Sequence, residues 1–242
     1  MQKMFFTIII LLTGFNPVKE AIYKPVVVLE LFTSQGCSSC PPADKLLGEV
    51  SNTYSNDEVV ALSYHVDYWN YIGWKDPFSK KAYSNKQRQY GSKFASSSIY
   101  TPQVVINGKT HFVGSKRDVM TSKLKAYLGK KSENEIILSR LENNSGLLSF
   151  NYKINGNIAA KKIRFVLAIK ERVTAVGRGE NRNRVLKNYN IVVKDIVNNL
   201  DANTGTSHIE IPELVNNTDK LMLVALVQTK DLSIVGASQV KL

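Results

Sequence analysis

The apolar positions of this chain change period several times, and each change marks an element. From Val26 to Phe32 every residue is apolar except Glu30, which reads as a strand inside a sheet. Thr33 to Gly36 break that run. Leu46, Leu47, Val50 and Tyr54 then fall on one face of a helix. Val59 to Tyr64 is a second strand, and Asp76-Pro77 offers a cap and first position for a helix running to about Tyr90. Pro102 opens a third strand, Asn107-Gly108 is a two-residue hairpin turn, and Thr110 to Val113 returns. A helix follows, with Ser115 as N-cap, Met120, Leu124, Tyr127 and Leu128 as its apolar stripe and Gly129 at its end. Beyond the polar run Lys130 to Asn134 the pattern is mostly that of strands: Ile136–Leu141, Leu147–Ile154, Ile163–Ile169, His208–Ile211, Leu221–Gln228 and Ile234–Leu242. Val185 to Leu200 fits a long strand or a helix. This pattern divides the chain at the polar run into residues 22–131 and a β-rich, sandwich-like part over 132–242.

Both cysteines lie between the first strand and the first helix, as Cys37 and Cys40. That spacing at a helix N-terminus suits redox chemistry, because exposed N–H groups and the helix dipole favour a thiolate at Cys37 while Cys40 stands ready to resolve a mixed disulfide. Two other readings of the pair remain: a plain staple, though closing so short a loop removes little chain entropy, and one half of a metal clasp. Glu30 interrupts the apolar strand that leads to the cysteines and is a candidate proton acceptor for Cys40. Its alternative is an outward-facing glutamate. His65, at the end of the second strand, is a candidate for proton transfer or a third metal ligand, against a histidine satisfied by backbone. Asp67 and Trp69 follow it and are candidates to support the site.

With the CxxC helix upstream, the order Thr101-Pro102, strand, turn, strand resembles the thioredoxin family. The resemblance implies a cis proline lying against the cysteine pair, with Thr101 and Pro102 binding an extended client. The runs LFTSQGCSSCPPADKLL, ALSYHVDYWNYIGWKDPF and YTPQVVINGK resemble, more narrowly, a family of secreted thioredoxin-like proteins known only as a domain of unknown function. Gly179-Glu180-Asn181, preceded by Arg178, and Tyr189 to Val193 extend that likeness over most of the chain. The expected fold is therefore an α/β thioredoxin-like domain with a helical insertion over about 68–99, followed by the mostly β C-terminal domain. Arg178, Glu180, Asn181, Arg182 and Arg184 form a polar cluster with two readings, a loop folded back over the redox site with Arg178 and Glu180 paired, or a solvated loop.

The N-terminus reads as an export signal over residues 1–21: Lys3, then the apolar Met4 to Leu12, then a polar exit near Ala21. The expected address is the periplasm or the outside of the cell, where an oxidising setting keeps two cysteines bridged unless a partner reduces them. The net charge of +12 is uneven: residues 75–131 hold thirteen Lys or Arg and two acids, a net +11. An anionic envelope surface or an acidic client suits that stretch, and the other reading is a solvated basic face with no partner. Nucleic acid does not suit it, since no groove-reading motif accompanies it.

The leading function from sequence is a thiol–disulfide oxidoreductase of the cell envelope, using Cys37 and Cys40, acting on protein thiols or disulfides and needing a redox partner, with no cofactor beyond its own disulfide. The alternatives are a copper-handling protein holding Cu(I) with Cys37, Cys40 and His65, since soft thiolates select that ion, and a binding protein without catalysis.

Overall fold

The structure, a computed structural model, describes residues 23–242, so the export signal expected over 1–21 lies outside the described residues. In chain order the elements are β1 (Val27–Thr33), α1 (Pro41–Thr53), β2 (Val59–His65), α2 (Lys81–Lys93), β3 (Gln103–Ile106), β4 (Thr110–Val113), α3 (Arg117–Leu128), β5 (Glu135–Asn144), β6 (Leu147–Asn155), β7 (Lys161–Val176), β8 (Arg184–Asn199), β9 (Thr204–Glu210), β10 (Leu221–Thr229) and β11 (Ile234–Lys241). Eight of these strands form one mixed sheet in the order β11-β10-β7-β8-β2-β1-β3-β4, and β5-β6-β9 form a second, antiparallel one.

This overturns the expected fold class. The chain is mostly β, and its large mixed sheet is not an α/β thioredoxin-like fold with a helical insertion. The reason lies in β7 and β8, each sixteen residues long. They pair antiparallel along nearly their whole length, and β8 then lies parallel beside β2, joined at Ser63 and Ile191. The Ser63 hydroxyl reinforces that seam by donating to the Tyr189 carbonyl at 2.8 Å. Four strands from beyond the polar run therefore continue the sheet begun by β1 and β2, in place of a separate sandwich.

The helix between β2 and β3 is likewise no appendage. Its Tyr83 and Tyr90 are buried against Val28, Phe32, Val60 and Leu62 and cover one face of the sheet. On β1, alternate residues Val27, Leu29 and Leu31 face the other way, into a cluster built by α1 and α3. The same alternation divides β7. Val166 and Ala168 join the α2 face, while Phe165, Leu167 and Ile169 pack on the small sheet through Ile136, Leu148 and Phe150.

Local rules set the joints. Asn107 and Gly108 both have positive φ, as a tight hairpin turn requires. A side chain at Gly108 would collide with the Leu232 carbonyl. At Gly48, α1 comes so close to the Tyr189 ring on β8 that an added Cβ would stand 2.6 Å from it. Both joints tie an element of the first half of the chain to one of the second, α1 to β8 and the β3–β4 turn to the β10–β11 loop.

Candidate functional site

Cys37 and Cys40 are joined by a disulfide, with Cα atoms 5.4 Å apart. The chain leaves β1 at Thr33 and turns, the Cys37 N–H donating to the Ser34 carbonyl and the Cys40 N–H to that of Cys37, each at 3.2 Å. Cys40 occupies the cap of α1 in helical conformation, and Pro41 and Pro42 take the positions where a missing N–H costs least. Ser38 and Ser39 are exposed. The cysteines are not: Cys37 is 0% and Cys40 1% accessible. The Ser39 hydroxyl lies 3.4 Å from Cys37 Sγ.

Beneath the bridge lies a group of buried ionisable side chains. Asp44 follows Cys40 by four residues, so the two side chains share a helix face about one turn apart. The Thr33 hydroxyl donates to Asp44 Oδ2 at 3.0 Å, and Asp44 Oδ1 has no partner. Burial pushes the Asp44 carboxyl up to about 6, against the pull of the nearby His65 charge and of hydrogen bonds from Thr33 and Asn188. His65 Nδ1 is 2.7 Å from Asp76 Oδ2, and its Nε2 is unpartnered. Burial works against the charged imidazole. The Asp76 carboxylate outweighs it, with Asp44 adding, and His65 is raised above its usual range. Burial also opposes the Asp76 carboxylate, yet His65 and the N–H groups of Gln35 and Phe78 hold it below the usual range.

Asp76 accepts the Gln35 N–H at 2.8 Å, which ties this group to the loop before Cys37. The same glutamine donates to Asn188 Oδ1 on β8 at 3.0 Å and accepts from Trp74 Nε1 at 3.2 Å. From the tip of the β7–β8 hairpin, buried Asn181 donates to the carbonyls of both Gln35 and Cys37 at 2.9 Å. Beside it, Glu180 accepts the Ser38 N–H at 2.9 Å, and hydrogen bonding from Ser38 holds the exposed carboxyl below its usual range. The disulfide loop thus lies between α1 below it and the hairpin tip across it.

The residues singled out in the sequence divide between this site and elsewhere. The Thr101–Pro102 bond is cis, and Trp69 connects it to the disulfide loop: Trp69 Nε1 donates to Thr101 Oγ1 at 2.7 Å, and the Trp69 Cβ would touch any side chain placed at Gly36. Pro102 is buried, and its carbonyl accepts from the Gly114 N–H at 2.9 Å. His65 lies within the buried group. Asp67 ties its loop to α2 through Ser84. Glu30 binds Arg164 at 2.8 Å and the Tyr90 hydroxyl, so its partners are in the sheet centre rather than at the cysteines. Arg178 is exposed, and Glu180 turns to the Ser38 backbone rather than to it. Among the described residues no three His, Cys, Asp or Glu are arranged to hold a metal ion.

Asp44 and Asp76 escaped the sequence reading. Asp76 stood as a helix cap, but α2 begins at Lys81 and the carboxylate turns inward. Asp44 carried a signal of its own. It precedes Leu47 by three residues, which places it on the buried stripe of the helix.

A family described as a protein of unknown function (DUF1223) matches residues 28–228. The crystal structure of a protein from Agrobacterium tumefaciens is similar at 27% identity and a TM-score of 0.68, over 89% of this chain and 94% of that one. A beta-glucosidase from Kluyveromyces marxianus, covering 47% of this chain and 14% of its own at 10% identity and a TM-score of 0.19, carries no argument. No curated protein matches. With the matched span running from β1 through β10 and holding the disulfide, the buried group and the hairpin tip, the chain belongs to the DUF1223 family.

Proposed function

We propose that the protein exchanges electrons with client thiols or disulfides through Cys37 and Cys40. The observation that carries this reading is the buried group Asp44, His65 and Asp76 next to a bridge across so short a loop. Burying three ionisable groups, two of them with an unpartnered atom, costs stability. A bridge spanning four residues contributes only about 2 kcal/mol as a staple. Perturbed carboxyl and imidazole groups beside a reactive pair suit proton transfer better than stiffening.

In the oxidising direction, a client thiolate attacks Cys37 Sγ. The new S–S bond forms as the old one breaks, and the electron pair leaves on Cys40, which takes a proton. A second client thiolate then attacks the client sulfur of the mixed disulfide and Cys37 departs as thiolate. The client ends as a disulfide and the protein as a dithiol. The reducing direction runs through the same steps in reverse, and either needs a redox partner to reset the pair. In this reading Asp44, four residues on from Cys40, takes the role of holding the Cys40 proton, since a carboxyl near 6 can both give and accept it close to neutrality. Export, as the N-terminal sequence suggests, supplies the setting in which the pair rests as a disulfide.

Because both cysteines are covered, a client reaches them only when the exposed Ser38–Ser39 lip moves. The test is a Cys40→Ser variant expressed in cells and analysed without reducing agent. Clients bound covalently through Cys37 are expected, and they should vanish in the Cys37→Ser, Cys40→Ser double variant. Absence of any mixed disulfide, together with a wild type unable to reduce or form disulfides in a model substrate, overturns the proposal.

A further inference from the structure

The hairpin tip that crosses the disulfide loop is strongly basic on its outer side. Arg178, Arg182 and Arg184 are all exposed within seven residues, and Glu180 is the one acid among them. The tip is held in place rather than free. Gly179 and Asn183 take positive φ, and the N–H groups of Arg182 and Arg184 donate to the Gly179 and Asn181 carbonyls at 3.2 and 3.1 Å. Asn181 and Glu180 then fasten it to the backbone of residues 35 to 38. Arg184 donates to the Asn181 side chain at 2.7 Å, so its charge stands directly behind the residue that grips the Cys37 carbonyl. Glu180 is engaged by the Ser38 N–H, whereas Arg178 and Arg182 have no ion-pair partner among the described residues.

A second segment adds to the same rim. Trp74 packs against Gly177 and Gly179 at the root of the tip and donates to Gln35, and exposed Lys75 follows it. Asp76, the acid next in the chain, faces inward to His65. The two segments beside the lip thus expose four cations, Lys75, Arg178, Arg182 and Arg184, against the one carboxylate of Glu180 at Ser38, and their outward charge is net positive.

We propose that the rim selects protein clients whose reacting cysteine is flanked by acidic residues. This rests on thiol–disulfide exchange at Cys37–Cys40. The chemistry is that of steering: cations on the rim raise the local concentration of a thiolate carried by an acidic peptide and oppose the approach of one carried by a basic peptide. Two segments bearing charge on a rim suit an extended acidic chain lying across the lip.

The experiment uses the oxidised full chain and three short peptides, each with one cysteine flanked by glutamates, serines or lysines. Rates of reduction of the Cys37–Cys40 bridge are measured at low salt and expressed per thiolate, for wild type and for an Arg178→Glu, Arg182→Glu variant. Comparing the two proteins with the same peptide cancels each peptide's own reactivity. The double reversal is expected to slow the glutamate peptide by about tenfold, speed the lysine peptide by a similar factor and leave the serine peptide within about twofold, with the differences fading at high salt. The same salt series on wild type alone gives the charge order without any substitution. Equal factors for all three peptides would overturn the rim proposal and leave exchange standing. No reduction by any peptide would remove exchange and the rim proposal together.

Discussion

Two buried clusters of ionisable side chains, one in the sheet centre and one between α1, the end of β2 and the loop before α2, contrast in how their charges are balanced. In the sheet centre, Arg164 of β7 donates to Glu30 of β1 at 2.8 Å, to Asp195 of β8 at 2.9 Å and to the Tyr64 hydroxyl of β2 at 2.8 Å. Lys86 of α2 adds a second cation, 3.1 Å from Asp195. Although burial opposes every charge there, Arg164 is held well above and Asp195 well below the usual range by their mutual attraction. Two acids thus face two cations. Under the disulfide, two carboxylates share one imidazole and one carboxyl is pushed up to about 6; both clusters keep unpartnered atoms, Asp44 Oδ1 and His65 Nε2 here and Arg164 Nη1 in the sheet centre. A balanced cluster that spans the seam between β1, β2, β7 and β8 fixes architecture. The unbalanced one, on the helix that follows Cys40, is the group that the proposed exchange would use to move a proton.

The largest effect should come from breaking the balanced cluster. Arg164→Met leaves Glu30 and Asp195 buried with Lys86 as their only nearby cation, which should destabilise the fold by about 3–5 kcal/mol in urea unfolding. A loss below about 1 kcal/mol would show that the seam does not depend on these charges.

Asp44→Asn sharpens the comparison through pH. In the folded chain the Asp44 carboxyl stands near 6, above its ordinary 3.8, so the folded state holds a proton that the unfolded state has released. The sign is therefore destabilising as pH rises. The cost is absent below about pH 4 and complete above about pH 6, where it reaches about 3 kcal/mol. The stability of Asp44→Asn relative to wild type should rise by that amount between pH 4 and pH 7. A difference that stays flat would mean that Asp44 titrates normally.

Removing the bridge with a double Cys37→Ser, Cys40→Ser variant should cost about 2 kcal/mol or less, since the closed loop is short. A loss well beyond that would favour the staple. Asn181→Ala, which frees the Gln35 and Cys37 carbonyls, should cost about 1–2 kcal/mol and open the lip, so the bridge should be reduced several-fold faster by a small neutral thiol. An unchanged rate would show that the hairpin tip does not gate the sulfurs.

The sequence made the first of these regions legible only in pieces. Glu30 stood out as a charge in an apolar strand, but its partner Arg164 lies 134 residues away, and nothing local pairs them. The long hairpin was hidden for a similar reason. Val185 to Leu200 places apolar and polar residues at spacings that fit either period, so the pairing of β8 with β7 and β2 could not be read from it, and the single large sheet was missed with it. The cysteine loop was clearer because it is local, whereas Asp44 and Asp76 of the buried group beside it were missed. Cys37, Cys40 and the turn before α1 are contiguous, and Asp44 sits one helical turn on. What brings Asn181 and Asn188 to that turn is again the hairpin, and only the fold reveals it.

The central claim is that this disulfide belongs to a working site rather than to the scaffold. It is tested most directly by titrating the native, oxidised protein with dithiothreitol at pH 7, counting alkylated cysteines by mass while following the fold by circular dichroism. The account predicts that two thiols become alkylable with the fold unchanged, and that they re-form the bridge when the reductant is removed. Cysteines that react only once the chain has unfolded would contradict it.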